Sequence, residues 1–185
     1  MEQVLYLDAA GMPQSWMRLE EAARLYAKDQ VLWELGTLTS VLRGGTRRCG
    51  ARSELAVASV IAGRGIQGRG FRKTPTLTNA NLFARDQYLC LYCGEKFPAR
   101  ALTRDHIIPT SRGGANSWEN TCAACRRCNN VKGARTPEEA KMELLALPFT
   151  PNRFEALLLE GRNIIVDQME YLRAGLSDNR NWLAS

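Results

Sequence analysis

Two short stretches, Cys90-Leu-Tyr-Cys93 and Cys125-Arg-Arg-Cys128, decide how the middle of this sequence folds. Each stretch places two cysteines three positions apart, so that both thiolates can bind one ion. Two such pairs supply four sulfur ligands, which suits a closed tetrahedral zinc site with a structural role. Because Cys122 also lies three positions before Cys125, the spacing alone leaves open which pair completes the site.

The composition of the chain is that of an ordinary globular protein. It has 185 residues, of which 45% are hydrophobic and 24% are charged. These values exclude a disordered or fibrous chain and allow a hydrophobic core without disulfides. The longest mostly apolar run, residues 55–63, is too short to cross a bilayer, so we expect no membrane partner. The first residues lack the features of a signal peptide, and we therefore expect a cytoplasmic protein.

Positive charge is concentrated in the centre of the sequence. Residues 43–73 carry eight basic side chains and one acidic side chain. Residues 85–135 carry nine basic and four acidic side chains. Both ends of the chain are net acidic, although the whole chain has a formal charge of +6. A basic centre favours a polyphosphate partner such as a nucleic acid, and a solvated surface is the simpler alternative.

The pattern of apolar residues predicts an α+β fold in four segments. Residues 1–62 form a small accessory unit with strands near 3–7, 31–34, 37–42 and 55–61 and a helix near 19–28. Residues 63–76 contain four glycines and four basic residues, and they form a linker or a phosphate-tracking arm. Residues 77–140 form the cysteine-rich domain, which begins with a helix over 79–86 capped by Thr78. A helix over 138–146 follows Pro137, and residues 141–185 form a C-terminal helical extension with one or two more helices within 153–174.

A cluster of chemically capable residues lies between the two cysteine pairs. His106 is the only histidine in the chain, and Asp105 precedes it as an oxygen ligand suited to Mg²⁺. Neighbouring residues on a regular strand point to opposite faces, so a shared site requires the strand to end, to bend or to lie at the edge of the site near His106. A glycine loop over 111–116 follows, and Asn120 and Asn129 lie farther along the chain.

These residues resemble the HNH nuclease family, which is built on the ββα-metal fold. The resemblance covers about residues 79–140 and rests on Asp105-His106, the glycine loop, and two asparagines, Asn120 and Asn129. Asn120 lies fourteen residues after His106, and Asn129 lies nine residues after Asn120. In this family the last cysteine pair runs directly into the final asparagine. The resemblance therefore selects Cys125 and Cys128 as zinc ligands and leaves Cys122 as a small buried residue.

The resemblance implies a role for each residue. His106 would be the general base, and Asp105 and Asn129 would hold one catalytic Mg²⁺ or Mn²⁺ ion. Asn120 would brace the loop between two β-strands. The expected activity is DNA cleavage to a 5′-phosphate and a 3′-hydroxyl, by nicking or double-strand cutting, in a prokaryotic or phage-infected cell. A homodimer, or a DNA-processing partner from phage or host, is compatible with this reading.

Several basic residues are candidates for phosphate contacts, with ordinary surface charge as the alternative. A helix that begins near Arg126 would place Arg126, Asn129 and Lys132 on one face. The candidates are Arg69, Arg72, Lys73, Arg104, Arg112, Arg126 and Lys132. A zinc module that binds nucleic acid without cleaving it is the alternative function. A disulfide-exchange protein is disfavoured because the cysteine pairs lack a βαβ setting.

Overall fold

A computed structural model describes residues 3–46, 48–50, 52–64 and 74–176, and it confirms the α+β class. The described residues form two compact units. One contains the residues up to 64 together with those from 153 onwards, and the other contains residues 74–152. Arg69, Arg72 and Lys73 lie outside the described residues. Within the described part of the chain, we find no helix of the length and apolarity needed to cross a membrane.

The first unit is a four-stranded sheet with the order β2-β1-β4-β3. Its strands are β1 (Gln3–Leu7), β2 (Pro13–Arg18), β3 (Val31–Thr46) and β4 (Arg52–Gly63). Helix α1 (Leu19–Ala27) covers one face, and its partners in the core include Val4, Tyr6 and Ile61. Alternate residues of the same strands, such as Leu5 and Val60, pack on the opposite face.

Two C-terminal helices cover that opposite face of the sheet. They are α5 (Arg153–Glu160) and α6 (Val166–Arg173), and they contribute Leu157 and Leu172 to the core. Helices were predicted in this region, but their packing against the N-terminal sheet was not. The helix predicted over 138–146 is confirmed only for residues 138–140, because α4 (Pro137–Ala140) ends where Lys141 adopts a left-handed φ of 55°. Strand β2 was also missed.

The second unit contains a β-hairpin followed directly by a helix. Strand β5 (Leu102–His106) pairs antiparallel with β6 (Thr121–Cys125), and α3 (Arg126–Lys132) begins at the next residue. Helix α2 (Asn79–Arg85) begins as predicted, with the Thr78 hydroxyl accepting a hydrogen bond from the Asn81 amide. The core contains Leu82, Phe83, Leu102, Trp118 and Ala123.

A buried ion pair at the end of α2 fixes the position of β6. Arg85 is fully buried and binds the Asp86 carboxylate through two nitrogens, at 2.7 and 3.1 Å. The same guanidinium donates to the carbonyls of Trp118 and Thr121, while Asp86 accepts from the Ala123 amide. Because Thr121 and Ala123 belong to β6, these contacts set the strand against α2. Arg85 also donates to the Phe149 carbonyl at 3.0 Å.

Candidate active site beside a four-cysteine cluster

The four predicted zinc ligands lie together in the second unit. The sulfur atoms of Cys90, Cys93, Cys125 and Cys128 are all within 4.8 Å of one another. A tetrahedral zinc with Zn–S distances of about 2.3 Å needs sulfur atoms about 3.8 Å apart. The cluster therefore fits a zinc ion, which would leave no open coordination position for water.

Local backbone geometry explains how each cysteine pair forms. In the first pair, Gly94 adopts a left-handed φ of 75° and its amide donates to the Cys90 carbonyl. In the second pair, Cys125 ends β6 and caps α3, and its sulfur accepts from the Cys128 amide at 3.4 Å. Each pair is thus a tight turn that directs both sulfur atoms to one side.

Cys122 lies outside this cluster, as the resemblance implied. It is fully buried within β6. Burial, followed by the nearby charge of Asp105, raises the pKa of the Cys122 thiol to about 12. Cys49 is exposed in the other unit and has no part in the cluster.

Asp105 is buried and has two side-chain partners. The Tyr92 hydroxyl donates to its Oδ2 at 2.6 Å, and the Lys132 ammonium lies 3.1 Å from its Oδ1. Lys132 also donates to the His106 carbonyl at 2.6 Å. Chiefly through burial, the pKa of Tyr92 is raised well above its usual range, so the phenol remains a donor. The carboxylate is therefore held by a neutral donor on one oxygen and a cation on the other.

His106 ends β5 and has a different partner. Its Nε2 lies 3.2 Å from Asn116 Oδ1, and an Arg104 nitrogen donates to the same oxygen at 2.9 Å. A guanidinium can only donate, so the Asn116 atom that faces it must be the carbonyl oxygen. In the neutral imidazole, Nε2 then carries the proton, and Nδ1 is the nitrogen left to accept one.

Asn120 braces the loop that follows β5. Its amide nitrogen donates to the carbonyls of Ile108 and Ala115, and its oxygen accepts from the Ile108 amide. Gly114 is needed in this loop, because an added Cβ there would lie 1.8 Å from the Ile108 carbonyl oxygen. The side chain of Asn120 is therefore used in loop structure, which is the position that the resemblance implies for it.

Asn129 lies on α3 against the same side of β5 as Asp105. Its amide donates to the Thr103 hydroxyl at 2.8 Å, and Thr103 lies two residues before Asp105 on the strand. Residues two apart on a strand share a face, so Asp105 and Asn129 both occupy the layer between β5 and α3. The His106 side chain does not join this layer, since its described contact is with the Asn116 side chain. The strand ends at His106, where sequence reasoning required an end, a bend or a position at the edge of the site.

The candidate phosphate contacts have different environments. Arg126 is exposed, and Arg104 is half-buried with a donor bonded to Asn116. Arg112 pairs with Glu139 at 2.7 Å, and this hydrogen bond lowers the pKa of that carboxyl. Lys132 is fully buried. The expectation of a phosphate contact there does not fit the structure, because the ammonium is taken up by Asp105.

Sequence reasoning missed the residues that hold the site in place. Tyr92 lies between the first two cysteines, and Asn116 closes the glycine loop, so both were inside motifs already noted. Their partners are fixed only by the tertiary fold. The missed positioning residues are Arg85, Asp86, Tyr92, Thr103 and Asn116.

Comparison with known proteins points to the same segment. Residues 90–145 match a family model described as HNH endonuclease. A 91-residue stretch, 49% of this chain, is 32% identical to the CRISPR-associated endonuclease Cas9 of Corynebacterium diphtheriae. The aligned stretch spans only 8% of that much longer relative. The comparisons thus confirm the predicted resemblance to the HNH endonuclease family over the segment that contains the four cysteines, Asp105 and His106.

Proposed function

We propose that this protein is a metal-dependent DNA endonuclease that leaves a 5′-phosphate and a 3′-hydroxyl. The observation that carries the proposal is the arrangement of residues at the end of β5. There, Asp105 and His106 end the first strand of a β-hairpin that is followed by α3 and adjoins the four-cysteine cluster, in a segment that matches the HNH endonuclease family. The similarity to an endonuclease of Corynebacterium diphtheriae supports the same reaction class.

His106 acts as the general base. A general base needs one unprotonated atom that is held in a fixed direction toward the attacking water. Asn116 holds the imidazole in a fixed direction, because its oxygen binds Nε2 and is itself held by Arg104. Nδ1 is then the atom that takes the proton. Asn120 supports the reaction indirectly, by keeping the loop after β5 in place.

Asp105 and Asn129 would hold one catalytic ion. Carboxylate and amide oxygens suit Mg²⁺ or Mn²⁺ better than zinc. When bound, the ion would supply positive charge to the scissile phosphate and the leaving 3′ oxygen. Lys132 already pairs with Asp105, so the ion must share or displace that ammonium. We therefore expect weak binding of the ion in the absence of DNA, with added affinity once phosphate oxygens complete the coordination.

The remaining residues support the site and the substrate. Zinc bound by the four cysteines would have a structural role only. Arg104, Arg112 and Arg126 are the described cations of this unit that we propose to lie near the phosphate backbone. The partner is DNA, and the number of strands cut depends on whether one or two copies of the chain act on one duplex.

A cleavage assay on supercoiled plasmid tests this function. It compares the wild type, His106→Ala and Lys96→Ala with Mg²⁺, with Mn²⁺ and without a divalent ion. Lys96 is an exposed residue of the same unit outside the proposed site, so it is the matched control. We expect ion-dependent cleavage by the wild type and the control, and a loss of about 100-fold or more in His106→Ala. Zinc content and thermal stability should be equal in all three proteins.

The outcome separates the alternatives. Cleavage by His106→Ala at the wild-type rate would contradict the proposed base. Binding of DNA by zinc-loaded wild type with no cleavage under either ion would favour the non-catalytic zinc module. Open-circular product alone indicates a nickase, whereas linear product that appears first indicates paired active sites.

A further inference from the structure

The two longest strands of the first unit extend beyond the sheet as a two-stranded ribbon. β3 has sixteen residues and β4 has twelve, whereas β1 and β2 have five and six. The pairing of β1 with β4 covers only Val60–Ala62 on the β4 side. Farther along, β3 and β4 pair with each other as far as Thr46 and Arg52.

The core ends before the ribbon does. Leu42 and Leu55 are the outermost ribbon residues that pack against the hydrophobic core beneath α1. On the other face, among the described side chains, the contact of α6 farthest toward the ribbon end of β3 is with Thr37, whose amide and hydroxyl donate to Asp167. Residues 43–46, 48–50 and 52–54, here called the ribbon tip, lie beyond both coverings. All of them are exposed except the half-buried Ser53.

The ribbon tip is cationic. Its charged residues are Arg43, Arg48, Arg52 and Glu54. Arg43 pairs with Glu54 at 3.3 Å across the two strands. Among the ion pairs found in the described residues, none includes Arg48 or Arg52. Two exposed arginines, Arg48 and Arg52, therefore stand at the end of a projecting structure, and no ion pair among the described residues neutralises them.

We infer that the ribbon tip is a second DNA-binding element, which enters the major groove of the substrate duplex. The inference rests on the proposed function for its substrate, but it concerns a surface outside the candidate active site. Paired strands lie about 4.8 Å apart, and the major groove is about 12 Å wide and admits such a ribbon. Four residues beyond Leu42 extend about 13 Å at 3.3 Å each, which exceeds a groove depth of about 8.5 Å.

The composition of the tip favours DNA over a membrane surface. Its described residues other than the charged ones are Gly44, Gly45, Thr46, Cys49, Gly50 and Ser53. A membrane-surface element needs bulky apolar or aromatic side chains to enter the acyl region, and these small residues supply none. Small residues and arginines instead allow close approach to a phosphate backbone.

A binding experiment with matched charge variants tests the inference. Anisotropy of a labelled duplex is measured against salt concentration, without added Mg²⁺ or Mn²⁺, for the wild type and Arg48→Ala/Arg52→Ala. The control is Arg24→Ala/Lys28→Ala, which removes two exposed positive charges from α1 and its C-terminal end in the same unit. Each lost phosphate contact should reduce the salt slope by about 0.9, and two lost contacts should weaken binding by on the order of 10- to 60-fold at 0.1 M salt. The control should bind as the wild type does.

A fluorophore attached to Cys49 allows a second measurement, which does not depend on a variant that has lost DNA binding. Cys49 is an exposed free cysteine between Arg48 and Gly50 at the turn of the ribbon. An environment-sensitive fluorophore attached there should respond to duplex over the same concentration range as the anisotropy. Labelled Cys49→Ser is the control for reaction at other thiols. A fluorophore that shows no response at saturating duplex would overturn the inference.

The failures of the two proposals are distinguishable. If Arg48→Ala/Arg52→Ala keeps the wild-type affinity and salt slope, the ribbon inference is wrong, even if the protein cuts plasmid. If the wild type binds duplex through the ribbon but never cuts, the nuclease proposal fails and the ribbon inference stands. Loss of binding to phosphatidylserine vesicles, with duplex binding intact, would assign the ribbon to a lipid surface and overturn the inference. A loss confined to single-stranded DNA would also overturn it.

Discussion

Replacement of Lys132 by methionine removes a buried cation and leaves the Asp105 carboxylate without its ionic partner. Methionine has nearly the same length and fills the same space, so the variant isolates the charge. The side chains of Lys132 and Asp105 are 0% and 6% exposed, and the nitrogen and oxygen are 3.1 Å apart. Water therefore cannot replace the lost ammonium without opening the layer between β5 and α3.

The expected cost follows from these values. At 3.1 Å and an effective dielectric constant of 20, the attraction is about 5 kcal/mol. Removal of one partner from a buried pair costs about 3–5 kcal/mol, because the remaining charge stays buried. Lys132 also donates to the His106 carbonyl, and that hydrogen bond is lost as well. We expect Lys132→Met to destabilise the second unit by about 3–5 kcal/mol.

Urea denaturation followed by zinc release to a chromophoric indicator measures this unit specifically. Arg127→Met is the matched control, because Arg127 is an exposed cation on the same helix and its loss should cost less than about 0.5 kcal/mol. Asp105→Asn/Lys132→Met completes a double-mutant cycle and should be less destabilised than the sum of the single variants. A cost below about 1 kcal/mol for Lys132→Met, with additive single effects, would refute the reasoning.

Four further outcomes are expected. Cys122→Ala should retain one zinc per chain by metal analysis, whereas Cys125→Ala should lose it; equal loss in both would place Cys122 among the ligands. Asn116→Leu should lower the turnover number by roughly 10-fold or more with unchanged zinc content, since it frees the imidazole to rotate. Asn120→Ala should destabilise the unit by about 1–3 kcal/mol in urea, because it leaves loop groups without partners. Arg85→Met should cost about 3–5 kcal/mol by the same measurement, and a neutral result would show that Asp86 is hydrated.

Much of the candidate site could be predicted because it is built from residues that lie close together in the sequence. The cysteine spacing forms each pair of the four-cysteine cluster, the resemblance chooses Cys128 over Cys122, and Thr78 sets the start of α2. The resemblance to the HNH family is confirmed for residues 90–145. The roles of Asp105, His106, Asn120 and Asn129 stay predictions.

The parts that were not predicted depend on contacts between distant residues. Lys132 looks like a surface cation in sequence, and only the approach of α3 to β5 buries it against Asp105, twenty-seven residues away. The helices after residue 153 carry ordinary apolar patterns, which do not specify the sheet that they cover. Gln168 of α6 is an example of a contact that specifies this packing, because its amide donates to the carbonyls of Gln3 and Ser59 in the sheet.

The position of Tyr92 connects the cysteine cluster to the proposed chemistry. Tyr92 lies between Cys90 and Cys93, and its hydroxyl donates to Asp105. Asn129 directly follows Cys128 and reaches Thr103 on the same strand. Of the two proposed ligands of the catalytic ion, Asp105 is therefore held by a residue next to a proposed zinc ligand, and Asn129 is itself the neighbour of another. A closed zinc site would act on the proposed chemistry in this way without binding water or substrate, because it would fix the separation between β5 and α3, where the proposed ion binds.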